Sequence, residues 1–318
     1  MEYIIFLLSL VIVIKSSDIF LDNSIKISKI LNIPEVIIGA TIVSIGTTLP
    51  EIMVSATSAM IGHSDISYGN ALGSIICNTA LISGISLSYK SIKINVDELK
   101  LPTIFFVLAS VIICIDAYLL HYFTRFSGII LALISLVYFY IVIKHSNNQD
   151  YDYQKDIVKD DKVFKIVFYL IVSAILLGIS ARMMTDNSII IAKNLGIPES
   201  SIALSIVALG TSLPELMTCI QSLRKGHSSI SLGNIIGANL INLLLVIGIS
   251  SIISPYGLPN DMLIYGINDS LLVDIPLYLI VMFIMLVPIF LYKRTNRWQG
   301  VVLLLIYFTY IYYLYNYV

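Results

Sequence analysis

Two glutamates, Glu51 and Glu215, close nearly the same six residues 164 positions apart: Gly46-Thr47-Thr48-Leu49-Pro50-Glu51 and Gly210-Thr211-Ser212-Leu213-Pro214-Glu215. Each copy lies in a stretch otherwise apolar enough to span a bilayer. A carboxylate beside Pro and Gly in hydrocarbon is costly for its charge and for the backbone groups it frees, so it persists only where protein, water or an ion satisfies it. Pro50 has no N–H and Gly46 loosens the chain, so the carbonyls around Ser44 to Thr47 are expected to lose their helical partners and to be free to meet a cation. Pro50 and Pro214 also suit the first turn of a new half-helix, which would set Glu51 and Glu215 beside it. Carboxylates, carbonyls and hydroxyls together form a hard, all-oxygen ligand set. Such a set fits Ca²⁺ or Na⁺ better than zinc or copper, which prefer nitrogen or sulfur.

A second constellation follows each hexapeptide. In Gly69-Asn70-Ala71-Leu72-Gly73-Ser74-Ile75-Ile76-Cys77-Asn78, helical spacing puts Gly69, Gly73 and Cys77 on one face and Asn70, Ser74 and Asn78 on the next. Small residues let a crossing helix approach closely, and the polar stripe can then reach the region of Glu51. The counterpart stripe is Asn234, Ala238 and Asn242, with Asn239 one position aside.

The elements that must carry these residues are membrane helices. Of the 318 residues 58% are hydrophobic and 12% charged, with a mean hydropathy of +0.92, far from a soluble domain. Ten segments reach spanning length: 3–30, 35–59, 69–88, 100–118, 126–144, 163–193, 199–223, 233–254, 271–291 and 298–317. The first lacks a cleavage-site pattern and reads as a retained helix. A polar linker, 145–162, divides the chain into 1–144 and 163–318. If loops alternate sides, fifteen Lys and Arg residues fall on the linker's side and only Arg125 and Lys193 on the other. That bias predicts a multi-pass protein of the cell membrane with a cytoplasmic linker and both termini outside. The 164-residue offset also pairs Asp22-Asn23-Ser24 with Asp186-Asn187-Ser188, Ile33-Pro34-Glu35 with Ile197-Pro198-Glu199, and Gly62-His63-Ser64 with Gly226-His227-Ser228. Five helices per half is an odd number, so the second half is expected to be inverted relative to the first.

Other residues read more plainly. One small-residue stripe or one intramembrane Asn is ordinarily packing. Two glutamates in the same helix-breaking context are not, since each adds a charge without stabilising anything. His63 and His227 fall at loop ends and read as interfacial or turn residues. Asp18, Asp22, Arg182 and Asp186 are expected to pair or to face water, and Asp116 to lie at the interface. Cys77, Cys114 and Cys219 show neither disulfide nor metal spacing. Neither a cofactor nor a nucleic-acid partner is indicated, the net charge being −1.

Gly-Thr-Thr/Ser-Leu-Pro-Glu followed by Gly-Asn-x-x-Gly-Ser/Ala, twice in inverted halves, resembles the α-repeats of the cation/Ca²⁺ exchanger superfamily, most closely the prokaryotic Na⁺/Ca²⁺ exchangers. Arg297-Trp298-Gln299-Gly300 belongs to the same likeness. The resemblance implies a core of the second, third, seventh and eighth helices, over which the long first and sixth helices slide. It implies a Ca²⁺ site from the Glu51 and Glu215 carboxylates with carbonyls of Thr47 and Thr211. It implies Na⁺ sites from the same carboxylates with hydroxyls of Thr48, Ser74 and Ser212 and carbonyls of Ser44 and Ala208, with Asn78 lining the centre. Ala238 stands where the family usually has Ser, and Asn242 where many members have Asp.

Electrostatics supports exchange. Two buried carboxylates carry about two negative charges, which one Ca²⁺ or two Na⁺ neutralise, and an empty low-dielectric site is penalised. Empty carriers should therefore cross rarely, coupling Ca²⁺ to Na⁺. The rivals are H⁺/Ca²⁺ exchange, which the hexapeptide's hydroxyls disfavour, and a cation channel, which repeated broken helices disfavour. A membrane enzyme would need a nucleophile–base pairing that the buried residues lack.

Overall fold

A computed structural model describes residues 2–31, 33–89, 91, 94–146, 160–194, 208–258, 263–264 and 266–317. The described chain is mostly helical. Helix α1 spans Glu2–Leu31, and α2 spans Glu35–Met60. Helix α3 runs Ser64–Ile76 and continues through a π-helical turn, Cys77–Ile82, to Ser83–Tyr89. Helix α4 is Val96–Leu120, α5 Arg125–Ser146 and α6 Asp160–Asn194. Helix α7 is a short piece, Ala208–Thr211, and then Leu213–Arg224. Helix α8 is Ser228–Ile253 and α9 Ser270–Tyr292, followed by α10, Arg297–Tyr317. Strand β1 (Tyr122–Phe123) pairs antiparallel with β2 (Tyr256–Gly257), and β3 (Leu263–Ile264) with β4 (Ile267–Asn268).

Eight of these helices, all but α7 and α10, are long and apolar enough to cross a membrane. Much of segment 199–223 upstream of α7 (residues 199–207) lies outside the described residues, as does most of the linker 145–162. Helices α3 and α8 are central: 83% of the spanning window is buried in each, against 17% in α6. The outward faces of α1, α4, α5 and α6 carry Leu8, Val107, Leu136 and Phe168, as a lipid-facing surface requires.

Two apolar clusters organise the interior. The larger joins α3, α4, α5, α8, α9 and α10 around Ile75, Tyr138, Leu243, Tyr278 and Leu303. The smaller is built mainly by α1 and α6, from Val13, Phe20, Leu21, Ala174, Leu177 and Ala181, and reaches Ile38 and Val43 of α2 and Ile230 of α8. In lipid, such contacts rest on close packing rather than on exclusion of water. Helices α2 and α8 cross backbone to backbone, where a Cβ on Gly233 would lie 2.1 Å from the Val36 carbonyl oxygen and one on Gly237 would lie 2.5 Å from Ala40 Cα.

The same turn closes α2 and α7. Gly62 and Gly226 have φ of +86° and +82°, and the next residue's N–H, from His63 or His227, reaches Ser58 or Ser222 at 2.8 Å. Glycine at this left-handed position is the usual helix stop. Both histidines are thus turn residues.

One expectation is corrected. The first hexapeptide does not break its helix: Ser44–Met60 is continuous through Pro50. Proline removes one N–H and frees one carbonyl, that of Gly46, rather than the whole run from Ser44. The irregularity sits earlier, in a π-helical turn over Gly39–Val43. The second copy is interrupted at Ser212, and Pro214 occupies the first turn of the following helix. Asp116 is buried, at 3% exposure, in a π-helical turn at the end of α4. The chain reverses at His121, and buried Phe123 and Tyr256 of the β1–β2 pair lie over this end of the molecule.

Candidate functional site

Helices α2 and α7 carry the two hexapeptides into the interior between α3 and α8. Glu51 and Glu215 are fully buried. The halves interlock through hydroxyls. Thr48 Oγ1 donates to Glu215 Oε1 at 3.1 Å, and Thr47 Oγ1 donates to Asn234 Oδ1 of α8 at 3.2 Å. Asn70 Nδ2 donates to Ser55 Oγ at 2.9 Å and lies 3.4 Å from the Glu51 carbonyl oxygen, fastening α3 to α2.

The helices that carry the carboxylates, α2 and α7, and those that cross them, α3 and α8, hold many buried polar atoms without protein partners. Among the described residues, both carboxylate oxygens of Glu51, Glu215 Oε2, the hydroxyls of Ser74, Ser212 and Thr218, and both amide atoms of Asn78 and of Asn242 have no hydrogen-bond partner. Each such atom costs ~1–3 kcal/mol if left unsatisfied. A cluster of this kind has no structural justification, and it fits a hard cation bound as substrate. Among the described residues no three His, Cys, Asp or Glu side chains converge. A cation held here would therefore take its remaining oxygens from hydroxyls, amides and carbonyls.

The other residues expected at the site fall as follows. Ser44 is buried, with its hydroxyl on the Thr41 carbonyl at 3.1 Å. Its Oγ would stand 2.6 Å from a Cβ on Gly237, so it lies at the α2–α8 crossing. Thr211 ends the short first piece of α7 and is half-buried. Ala208 begins that piece, and its side chain lies outside the described residues. Asn78 falls in a π-helical turn of α3, and Asn242 opens one in α8, Asn242–Ile247. Ala238 is fully buried and brings no hydroxyl to the position matching Ser74.

A model of the sodium/calcium exchanger protein family matches residues 1–144 and 165–316. The chain belongs to that family. It is 33% identical to the protein CaxA of Alkalimonas amylolytica over 322 aligned residues, covering 98% of this chain and 97% of that one. It is 29% identical to the sodium/calcium exchanger MaX1 of Methanosarcina acetivorans, covering 96% of each. Among solved structures it superposes on the sodium-calcium exchanger NCX_Mj soaked with 10 mM Na⁺ and zero Ca²⁺, with a TM-score of 0.81, 28% identity and 98% coverage of both chains. The chain is accordingly a multi-pass membrane protein of the prokaryotic exchanger type.

In this family member the structure gives contacts or burial to residues that motif reading assigned no ligand role. Asn234 receives the Thr47 hydroxyl. It belongs to the polar stripe read from the sequence, since Gly233-Asn234 repeats Gly69-Asn70. Thr218 brings a buried, unpartnered hydroxyl, but its offset partner is Val54, so no repetition marks it.

Proposed function

We propose that this protein is a secondary antiporter that exchanges Ca²⁺ for Na⁺ across the cell membrane by alternating access. The observation that carries the reading is the pair of fully buried carboxylates, Glu51 and Glu215, on helices that hold or cross others holding buried hydroxyl and amide atoms without protein partners. Membership of the sodium/calcium exchanger family supports it. One Ca²⁺ is held between the two carboxylates with the Thr47 and Thr211 carbonyls. Na⁺ ions use the same carboxylates with Thr48, Ser212 and Ser74 and the carbonyls of Ser44 and Ala208, while Asn78 and Asn242 line the centre. Sharing the carboxylates makes the two cations exclude each other, and exclusion within one site is what couples opposite fluxes.

Ten helices form two inverted halves of five in this reading, 1–144 and 163–318, joined by the cytoplasmic linker with both termini outside. The separate apolar cluster of α1 and α6 supports their moving as a unit over the core of α2, α3, α7 and α8. Gly46 and Gly210 lie where that unit touches the hexapeptides, a Cβ on either falling 2.5 Å from the Phe20 ring or 2.0 Å from Thr185 Oγ1. The test is ⁴⁵Ca²⁺ uptake into proteoliposomes loaded with Na⁺, with K⁺, or bearing a proton gradient. Uptake driven by internal Na⁺ alone supports the reading. Uptake driven only by the proton gradient makes the protein an H⁺/Ca²⁺ exchanger, and uptake without any counter-ion requirement makes it a channel.

A further inference from the structure

The turn after α7 repeats the turn after α2 in backbone but not in charge. Lys225 stands where the 164-residue offset places Ile61. Its Nζ lies 2.7 Å from Asp18 Oδ1 and 2.7 Å from Asp22 Oδ1, two carboxylates one helical turn apart on α1. The counterparts of those aspartates, Arg182 and Asp186, face each other on α6 at 3.8 Å instead. One long helix is thus tied by charge to the turn of the opposite half.

The turn that carries Lys225 is itself fixed. His227 Nδ1 lies 2.6 Å from Glu35 Oε1 at the start of α2, and the His227 N–H reaches the Ser222 carbonyl at 2.8 Å. Lys225 is a post anchored to the core, against which α1 lies. Burial pulls its ammonium down, but the hydrogen bonds and charges of Asp18 and Asp22 outweigh that and hold it above the ordinary lysine value. It stays charged throughout the neutral range.

The row of α1 that faces this post reads Ile14, Asp18, Asp22, Lys26 at four-residue spacing. Moving α1 by one turn, about 5.4 Å, would place Lys225 between Asp22 and Lys26 in one direction and between Ile14 and Asp18 in the other. Only the present register gives it two carboxylates.

We propose that Lys225 is a positioning residue of the transport cycle: with Asp18 and Asp22 it latches α1 in one register and so weights the two alternating orientations unequally. The inference rests on the alternating-access reading above. In the latched orientation α1 is docked at the face that bears the basic loops, the cytoplasmic one. Releasing the latch raises the population of the orientation open to the cytoplasm, and the apparent affinity for Ca²⁺ at that face rises in proportion.

The test uses full-length protein in oriented proteoliposomes, with half-saturating Ca²⁺ measured separately at each face. Lys225→Gln is expected to change the ratio of the two values by about three- to tenfold, lowering the cytoplasmic one, the size expected for two half-exposed ion pairs. Asp18→Asn with Asp22→Asn should give the same shift, the triple variant should add nothing, and Lys225→Arg should retain the wild-type ratio. A second measurement is the distance distribution between spin labels at the lipid-facing positions Leu8 of α1 and Leu136 of α5, which should redistribute in Lys225→Gln. If Lys225→Gln does not fold, the aspartate pair carries the same test. An unchanged ratio and an unchanged distance distribution would overturn the latch while leaving exchange intact. If the wild type exchanges no Ca²⁺ for Na⁺, the functional reading fails, and the distance distribution still decides whether Lys225 sets the register of α1.

Discussion

Glu51 and Glu215 repeat in sequence but not in their hydrogen bonds: Glu215 receives the Thr48 hydroxyl, whereas neither Glu51 carboxylate oxygen has a partner among the described residues. Replacing either by Gln removes a ligand charge while keeping shape and volume. We expect Glu51→Gln and Glu215→Gln each to reduce Ca²⁺ exchange at least ~10- to 100-fold, the worth of one or two contacts to a charged group. Thermal unfolding in detergent should show no loss of stability, because an uncompensated buried charge has been removed. The second residue-scale prediction concerns Ala238, buried opposite Ser74 in the repeat. A Na⁺ ion lacking one oxygen ligand binds more weakly by ~1.5–3 kcal/mol. Ala238→Ser should therefore lower the Na⁺ concentration for half-maximal Ca²⁺ efflux and leave Ca²⁺ affinity nearly unchanged; an unmoved Na⁺ curve would mean that position 238 is packing. At this scale most of the site was legible, since the hexapeptide and the Asn stripe announce themselves by repetition. Thr218 was not, because its hydroxyl appears in one half only.

At the scale of elements, glycines decide where helices touch. Gly46 meets the Phe20 ring of α1, and Gly210 meets Thr185 of α6, whose hydroxyl is bonded to the Ala181 carbonyl at 2.9 Å. A methyl at either position wedges the long helices away from the core. We expect Gly46→Ala and Gly210→Ala to slow exchange several-fold more than they lower stability, measured as initial Ca²⁺ flux beside the thermal midpoint. Gly233 differs, since the atom that a Cβ would strike, the Val36 carbonyl oxygen, belongs to backbone that cannot swing aside. Gly233→Ala should destabilise the fold itself by ~1–3 kcal/mol, the usual cost of overpacking, and flux should fall only with the folded fraction. Apart from α7, whose upstream part lies outside the described residues, helix positions were read within a few residues because long apolar runs bounded by charges and Gly have one interpretation in a membrane. The continuity of α2 through Pro50 was not, because proline's effect depends on whether neighbouring helices re-satisfy the one carbonyl it frees. The π-helical turns at Gly39, Cys77 and Asn242 have no sequence signature at all.

For the whole molecule, the decisive property is that two halves of related sequence meet across one interior. Thr48 of the first half bonds Glu215 of the second, and Thr47 of the first bonds Asn234 of the second, so neither half completes its polar interior alone. The repetition that predicts two like halves also sets their differences in relief: Ser74 against Ala238, Ile61 against Lys225, and the Asp18–Asp22 pair against Arg182–Asp186. These differences make the two halves inequivalent. The central claim is that Na⁺ and Ca²⁺ occupy the same carboxylates in turn. It is tested most directly by initial ⁴⁵Ca²⁺ uptake as a function of Ca²⁺ at several Na⁺ concentrations on the same side of the membrane. Competition at Glu51 and Glu215 predicts an apparent KM for Ca²⁺ that rises with Na⁺ while the maximal rate holds constant; a falling maximal rate at constant KM would place the two cations at separate sites and contradict the account.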